Sequence, residues 1–481
     1  MDLIQDKAFI NGKFVPSKSG ETFRVLNPAS DQVIANVSEC DVEDAKEAVR
    51  AAEQAFASFS KTTARSRARM LRKWFDLMSE NSEQLAKIVT MENGKPLAEA
   101  KGEVAYSASF LEWFSEEAPR ITGDTIPTQL TGTRMFTIRQ PIGPCAMLTP
   151  WNFPSAMITR KVGAAIAAGC TVVIKPAGET PLSALALAKL AKDAGIPDGV
   201  INIVTCDKNL QEVGKELCEN PIIKKVSFTG STRVGKLLMG LSASTLKKLS
   251  FELGGNAPFI VFDDCDVDKA VEGAIACKFR HSGQTCICAN RLFVHESVYN
   301  EFTTKLVQKV VNSLKLGPGM DDGTTHGPLI HKRAVEKVES HVEDAVSKGA
   351  KVLVGGKRRE DLGNSFFDLT VLGNVKQGMQ CTTEETFGPL ASIISFSSEQ
   401  EVLEHANDTP VGLAGYFFTK DLSRMYRVAE ELQVGMIGVN TGAISDNALP
   451  FGGVGESGFG REGSKYGIDE YLVLKTVTVG I

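Results

Sequence analysis

Residues 171–190 read TVVIKPAGETPLSALALAKL, and this stretch decides the fold. Thr171-Val172-Val173-Ile174 is a short apolar run without alternation, the pattern of a strand buried on both faces. Thr180 and Pro181 then mark a helix start, a hydroxyl residue at the N-cap followed by proline at the first helical position. Leu182, Leu185, Ala186 and Leu190 recur at helical spacing, so an amphipathic helix follows the strand. Gly195 ends it, and residues 200–204 read as the next strand. A second unit begins at residues 226–229, passes a glycine-rich turn and enters a helix near Arg233. Residues 259–262 read as a further strand. This alternation predicts an α/β fold with a parallel, doubly wound sheet whose ligands bind at the carboxyl ends of its strands.

Outward from that unit, the first 140 residues read as mostly helical after a short β lead. Asp41 suits the N-cap of a helix with Ala45, Ala48, Val49, Ala52 and Phe56 on one face. A longer helical region runs from about Thr63 to Met91 and stops at Asn93-Gly94-Lys95-Pro96. Beyond Asp263 the alternation resumes, with a helix over 298–314 and a strand over 351–354, which predicts a second α/β domain. The tail, residues 471–480, alternates Val and Thr. It reads as a strand without a partner in its own domain, expected to pair across a subunit interface.

The chain has 481 residues, enough for two to four domains at about 100–200 residues each. A hydrophobic fraction of 43% with 23% charged residues is that of a globular protein and excludes long disorder. The net charge of −5, with no basic block, argues against electrostatic nucleic-acid binding. The longest uncharged stretch, Gln140 to Thr159, carries Pro141, Pro144, Pro150 and Pro154, so it is loop and strand rather than a membrane helix. Asp2 and Asp6 argue against a transit peptide, and ten scattered cysteines suit a reducing compartment, so a cytoplasmic protein is expected.

Several local patterns could carry chemistry. Gly453-Val-Gly455-Glu-Ser-Gly458 matches a dinucleotide fingerprint by letter, but too little chain follows for a βαβ unit, and it reads as a loop. Gly230-Ser-Thr-Arg-Val-Gly235-Lys236 follows a strand and opens a helix, as pyrophosphate binding requires, and Ser231 offers a hydroxyl. Leu237 stands where a magnesium-binding hydroxyl would be needed, which argues against ATP hydrolysis. Ser282-Gly-Gln-Thr-Cys286-Ile-Cys288 places a cysteine after a glycine-containing polar turn, where a thiol can be exposed and acidified. His281 could serve such a thiol as a base in a hydrolase. A CxC pair without a partner pair, with six dispersed His, gives no metal site. Glu252, in Phe251-Glu-Leu-Gly-Gly255, is a candidate general base, and Asn152, between Trp151 and Phe153, a candidate oxyanion donor. The bland alternatives are buried filler for the cysteine, a solvated carboxylate and a turn asparagine.

Pro150-Trp-Asn-Phe-Pro154, Phe228-Thr-Gly-Ser231, Phe251-Glu-Leu-Gly-Gly-Asn256, Gly283-Gln-Thr-Cys286, Glu384-Glu-Thr-Phe-Gly-Pro389 and Pro450-Phe-Gly-Gly453 occur in one order. Together they resemble the aldehyde dehydrogenase superfamily, from about residue 8 to the end. The resemblance implies that Cys286 is the nucleophile, that Asn152 and the Cys286 backbone N–H hold the oxyanion, and that Glu252 activates the hydrolytic water. It implies an NAD(P) cofactor, with Lys175 on the adenine ribose, Glu385 on the nicotinamide ribose and Phe387 against the ring. Thr149, Trp151, Gly230, Ser231, Gly235 and Leu253 would line the cofactor path. The implied architecture is a Rossmann-like cofactor domain over 1–122 and 141–253, a catalytic domain over 254–455, and a β oligomerisation arm over 123–140 and 456–481. A homo-oligomer, dimer or tetramer, is expected.

Where NAD-preferring members commonly carry Glu, three positions after the lysine, this chain has Gly178. Loss of charge and bulk there implies that NADP is accepted and preferred, with NAD as a second cofactor. Arg160 and Arg280, close to Asn152 and Cys286 in sequence, suit a substrate carboxylate, since guanidinium binds carboxylate bidentately; the alternative is a structural ion pair. Residues 155–163, 277–280 and 461–467 resemble the succinate-semialdehyde branch of the family, in which Ser445 would add a third contact. The implied reaction is oxidation of succinate semialdehyde to succinate in 4-aminobutyrate degradation. Alternatives are another ω-carboxylate semialdehyde such as glutarate semialdehyde, an acylating member, or a non-catalytic descendant. Cys288 suggests a reversible Cys286–Cys288 disulfide as a redox switch.

Overall fold

The computed structural model describes residues 3–481; Asp2 lies outside the described residues. The Val172–Lys175 strand forms as expected. Cys145–Leu148 and Ile201–Ile203 flank it in parallel. Lys225–Thr229 and then Lys248–Glu252 continue the parallel core on the far side of Cys145–Leu148. Antiparallel strands at Ala8–Ile10, Lys13–Val15 and Gly458–Phe459 complete eight. Val172 and Ile174 point into one apolar core with Leu185, while Val173 points into the other with Val226. Both faces are covered, which is why the run shows no polar alternation.

The chain leaves Cys145–Leu148 for Val172–Lys175 on one side and later returns to Lys225–Thr229 on the other. The loops after Leu148 and Thr229 therefore diverge, opening a crevice at the carboxyl ends of adjacent strands.

Residues 259–262 do not join this sheet. Leu253-Gly-Gly-Asn256 carries the chain out of it, and Pro258–Val261 pairs with Arg291–His295 and Ala414–Phe418 in a seven-stranded sheet. This second sheet is parallel except for Lys351–Val354. A buried apolar run looks alike in either sheet; its place depends on where the glycine-rich linker sends it. Lys248–Glu252, a strand of mixed polarity, has no such signature.

Some helix starts follow local chemistry and others do not. Asp41 and Asp44 form a reciprocal capping box. The long N-terminal helical region is two helices, Ala64–Glu80 and Ser82–Asn93, broken at Asn81. The Pro181–Asp193 helix begins where expected, but Thr180 does not cap it, and its hydroxyl is buried without a partner. The buried Glu92 carboxylate instead accepts from the Leu182 and Ser183 N–H groups, both at 2.8 Å. Burial raises the pKa of Glu92 to about 8.

The tail strand has its partner in this same chain, which corrects the expectation of a partner subunit. Leu472–Gly480 pairs antiparallel with Thr133–Pro141, from Leu472 opposite Pro141 to Gly480 opposite Thr133. Thr125–Ile126 adds a third strand. Residues 456–470 do not belong to this arm: Gly458–Phe459 closes the edge of the first sheet, and the Tyr466–Asp469 helix packs on Ala156–Ala168. Among the described residues, no helix is long and apolar enough to cross a membrane.

Candidate active site

The crevice opens into a cavity of about 320 Å³. Trp151 and Asn152 reach it from the loop after Cys145–Leu148, Gly230 and Ser231 from the loop after Lys225–Thr229. Glu252 is the last residue of Lys248–Glu252. Cys286 precedes the Arg291–His295 strand, and Glu385 and Phe387 precede Leu390–Phe396. The carboxyl ends of the first sheet thus face the amino ends of the second, and Cys286, Glu252 and Asn152 line one cavity. Leu253 lines it too, while Thr149 is buried at the end of its strand and Gly235 sits inside the following helix against Leu253.

The turn that presents Cys286 is strained and over-determined. His281 and Ser282 are left-handed (φ 49° and 52°), and Gly283 follows at φ 78°. A non-glycine residue in this region costs about 1–3 kcal/mol. A Cβ on Gly283 would lie 2.0 Å from the Gly388 carbonyl oxygen. The Ser282 hydroxyl donates to the Gly327 carbonyl (2.7 Å), and Gln284 Oε1 accepts from the Ile330 N–H (2.9 Å). The resulting thiol is buried, contrary to the expectation of an exposed, acidified cysteine. Burial, and after it the facing Glu252 carboxylate, push the Cys286 thiol well above its ordinary range. His281 turns its ring to Trp151 and Phe153, and burial together with Lys95 and Arg280 keeps it neutral. It is not a base for Cys286.

Asn152 is held from outside the cavity. Its Nδ2 donates to the Gln284 carbonyl (3.2 Å), and its own carbonyl accepts from Lys95 Nζ (2.9 Å). Lys95 is paired with Glu103, both fully buried. Glu103 also accepts from the Ser155 N–H (2.9 Å). Glu99 accepts the His281 N–H at 3.1 and 3.2 Å. Lys95, Glu99 and Glu103, spaced by four around the start of the Leu97–Glu117 helix, thus pin both the Asn152 loop and the Cys286 turn. Sequence reasoning missed all three. The available signal was a charged stripe at helical spacing, which is normally a solvated face.

Arg160 also differs from expectation. Its Nη2 pairs with Glu252 and its Nε with Glu462, which in turn pairs with Lys161. All four residues are buried, two cations against two carboxylates, and Arg160 lies over the Phe451 ring at 4.6 Å. Burial works to raise the Glu462 carboxyl, but Arg160 and Lys161 outweigh it and hold it below its usual range. The structural ion pair weighed as the alternative is what forms. Arg280 and Ser445 instead share a second cavity of about 370 Å³ with Tyr106, Thr285 and Ile287, the last two flanking Cys286. The Arg280 guanidinium stacks on Phe153 at 4.9 Å. Cys286 therefore stands between two cavities, one carrying a cation and a hydroxyl.

The crevice of about 320 Å³ fits a nicotinamide nucleotide. Glu385 Oε1 accepts from the Gly255 N–H (3.2 Å), and Trp151 and Phe387 form an apolar wall with ring centroids 5.6 Å apart. A carboxylate beside an apolar aromatic wall matches ribose hydroxyls beside an aromatic ring. Burial raises Glu385 to about 7. The Ser231 hydroxyl caps its own helix, accepting from the Val234 N–H. Lys175 donates to the Pro176 carbonyl (2.8 Å). Gly178 opens on a third cavity of about 180 Å³, with Glu92, Glu179, Asp207, Arg24 and Lys332 in its walls. The Asp207 carboxylate lies 2.9 Å from where a Gly178 Cβ would stand, so glycine there does not leave the place free of charge. Cys286 and Cys288 are both free thiols. The Cys288 sulfur faces the Arg280 carbonyl (3.9 Å).

A family model described as "Aldehyde dehydrogenase family" matches residues 14–477. The chain is 56% identical over 473 residues to a succinate-semialdehyde dehydrogenase [NADP(+)] of Schizosaccharomyces pombe, covering 98% of this chain and 95% of that one. It is 54% identical over 478 residues to a glutarate-semialdehyde dehydrogenase of Pseudomonas aeruginosa, covering 99% and 98%. A crystal structure of a succinate-semialdehyde dehydrogenase from Burkholderia pseudomallei superposes with a TM-score of 0.98 at 54% identity, covering 100% and 99%.

Proposed function

The chain belongs to the aldehyde dehydrogenase family, and from that premise we propose that it oxidises succinate semialdehyde to succinate, with Cys286 as nucleophile. The observation that carries the substrate reading is the pairing of Arg280 with Ser445 in the cavity beyond Cys286, opposite the nucleotide crevice. A guanidinium and a hydroxyl at that end suit the far carboxylate of an ω-carboxylate aldehyde.

The Cys286 sulfur attacks the aldehyde carbon as a thiolate, and the carbonyl oxygen becomes an oxyanion. Asn152 Nδ2 and the Cys286 backbone N–H are the donors for it; each such donor is worth about 10²–10³ in rate. When bound against Trp151, Glu385 and Phe387, the nicotinamide supplies the acceptor for the hydride that leaves this carbon. The carbon is then a thioester of Cys286. Glu252 takes a proton from water, the hydroxide adds to the thioester, and the Cys286 thiolate leaves with release of the carboxylic acid.

Arg280→Ala tests the substrate reading. It is expected to raise KM for succinate semialdehyde about 10–100-fold, the loss of a charge-assisted contact of about 1.5–3 kcal/mol. KM for propanal should stay within about twofold, since that aldehyde makes no such contact. Equal effects on both aldehydes would remove the carboxylate contact. A kcat/KM comparison with glutarate semialdehyde decides chain length. The related glutarate-semialdehyde enzyme keeps that alternative in play.

Lys95→Met leaves Glu103 buried without its partner, a loss of about 3–5 kcal/mol for such pairs. Beyond the lower Tm, kcat is expected to fall about 100-fold as Asn152 loses its anchor, with cofactor affinity retained. Lys95→Arg should recover most of kcat. Loss of cofactor binding in parallel would mean general unfolding instead.

NADP as preferred cofactor, with NAD accepted, belongs to the proposal, supported by the NADP(+)-type name of the yeast relative. Four acidic side chains, Asp31, Glu92, Glu179 and Asp207, stand in the cavity at Gly178. Asp207→Asn is therefore expected to raise kcat/KM for NADP more than for NAD, because it removes one negative charge from the place a 2′-phosphate would occupy. The reverse order would reject this placement. Cytoplasmic location, a role in 4-aminobutyrate degradation and a homotetramer are parts of the same reading. The exposed outer edge of the Leu472–Gly480 strand, with Leu474 62% exposed, supports association with another copy.

A further inference from the structure

Asn256 and Asn290 stand just beyond the chemistry, the first on the chain that leaves Glu252, the second on the chain that leaves Cys286. Both are buried, and their side chains meet, Asn290 Nδ2 donating to Asn256 Oδ1 at 2.8 Å. Both also reach the segment that carries Glu385. Asn290 Nδ2 donates to the Glu384 carbonyl (2.8 Å) and to the Cys381 carbonyl (3.2 Å). Asn290 Oδ1 accepts from the Thr386 N–H (3.1 Å). One side chain thus holds the main chain on either side of Glu385. Asn256 Nδ2 donates to the Thr382 carbonyl (2.9 Å) on the same segment. Backbone contacts lock the two asparagines' own segments together. The Asn290 and Arg291 N–H groups donate to the Ala257 carbonyl (3.0 and 3.2 Å), and the Arg291 guanidinium donates to the Asn256 carbonyl (2.9 Å). On the outer side, Lys337 Nζ donates to the Glu385 carbonyl (2.5 Å), and the His341 ring meets the Thr386 hydroxyl (3.1 Å). Phe387, next in the chain, is left-handed (φ 53°), a conformation that persists only where its surroundings over-determine it.

We propose that Asn290, with Asn256 as its partner, is a positioning residue that sets the Glu385 carboxylate, and through it the nicotinamide, against Cys286. The amide has one usable orientation. Its Nδ2 faces three oxygens and its Oδ1 faces an N–H, so a flipped amide would lose every contact. Asn290 shares a short segment with Cys286, so its grip on Glu384 and Thr386 registers the cofactor loop directly against the nucleophile. Asn256 extends the same register to the segment that follows Glu252. Hydride transfer needs the reacting carbons in line and in contact, and a misplacement of about 1 Å costs on the order of 10²-fold. This inference deepens the reading of Glu385 as the carboxylate on the nicotinamide ribose and rests on it.

Asn290→Leu keeps the volume, adds no charge and removes both donor and acceptor. The Kd of NADP, followed by intrinsic fluorescence, is expected to rise about tenfold, the weight of one hydrogen bond to a charged group. The inhibition constant of ADP, which carries the adenine half without the nicotinamide ribose, should stay within about twofold because it makes no such contact. The kcat should fall about 10²-fold. The primary isotope effect with succinate semialdehyde deuterated at its aldehyde carbon should grow, placing the loss in hydride transfer. Alkylation of Cys286 by iodoacetamide without cofactor should keep the parent rate. Asn256→Leu leaves the grip on Glu384 and Thr386 in place, so it should show the same pattern more weakly. It carries the test if Asn290→Leu gives no soluble enzyme. Loss of ADP binding or a changed alkylation rate alongside the loss of NADP binding would mean a general disturbance and overturns the proposal. Glu385→Leu separates the two readings. If it weakens NADP binding while the asparagine variants keep parent affinity and isotope effect, the positioning role falls and the ribose contact stands. If it leaves NADP binding unchanged, the ribose contact falls and the positioning role with it.

Discussion

Replacing Cys286 with alanine is expected to abolish turnover, a loss of about 10⁶ on the scale seen when a hydrolase nucleophile is removed. Cofactor binding should persist, because the thiol lines the nucleotide crevice without holding either wall together. The test is reduced-cofactor formation together with cofactor titration by intrinsic fluorescence. Residual turnover within about 100-fold of the parent would assign the chemistry elsewhere. The wild-type thiol carries a further expectation. Burial and the Glu252 carboxylate raise its pKa well above the ordinary value. Alkylation by iodoacetamide should therefore be slow near neutrality and keep rising with pH beyond 9, the ordinary thiol value. A plateau below that value would contradict the buried, carboxylate-facing environment.

Glu252→Gln should give a different failure. The side chain keeps its volume but can no longer take a proton from water. Acylation should still yield one burst of reduced cofactor per active site, followed by steady turnover lowered about 10²–10⁴-fold. The same substitution removes the negative charge facing Cys286 and leaves Arg160 nearby, and both changes favour the thiolate. Alkylation of Cys286 at fixed pH is thus expected to accelerate while catalysis collapses. If the burst disappears too, Glu252 is needed for acylation, and the assignment to the hydrolytic step fails.

The parallel sheet and the Pro181 helix were legible because each rests on local signals, an apolar run and a helix start; the meeting of Cys286, Asn152 and Glu252 was legible only through the six motifs that carry the family resemblance. What the sequence hides is pairing at long range. Nothing near Thr180 announces that Glu92 caps its helix, because a carboxylate 90–91 residues upstream of the groups it caps can do so only once the chain has folded. Glu462 gives no local sign that it anchors Arg160, about 300 residues away. The arginine itself was found, but its resting partner was not. Proximity to Asn152 in sequence suggested a free cation, whereas two buried carboxylates compensate it. Lys248–Glu252 was not recognised as a strand, and the Pro258–Val261 strand was placed in the wrong sheet because sheet membership is decided by the linker before it, not by its own composition.

The closing of the first sheet by Gly458–Phe459 has a bearing on how the protein is made. The last residues supply that sheet's edge, the Glu462 partner of Lys161 and Arg160, the Glu470 partner of Lys225 and the long strand paired with Thr133–Pro141. During synthesis the amino-terminal half must wait on the ribosome with Arg160, Lys161 and Lys225 lacking the carboxylates that neutralise them when buried. Domains usually fold in order of emergence. Here an early-made sheet is finished by residues 458–480, so the catalytic machinery assembles only after these have been made, and a chain lacking them acquires no working site.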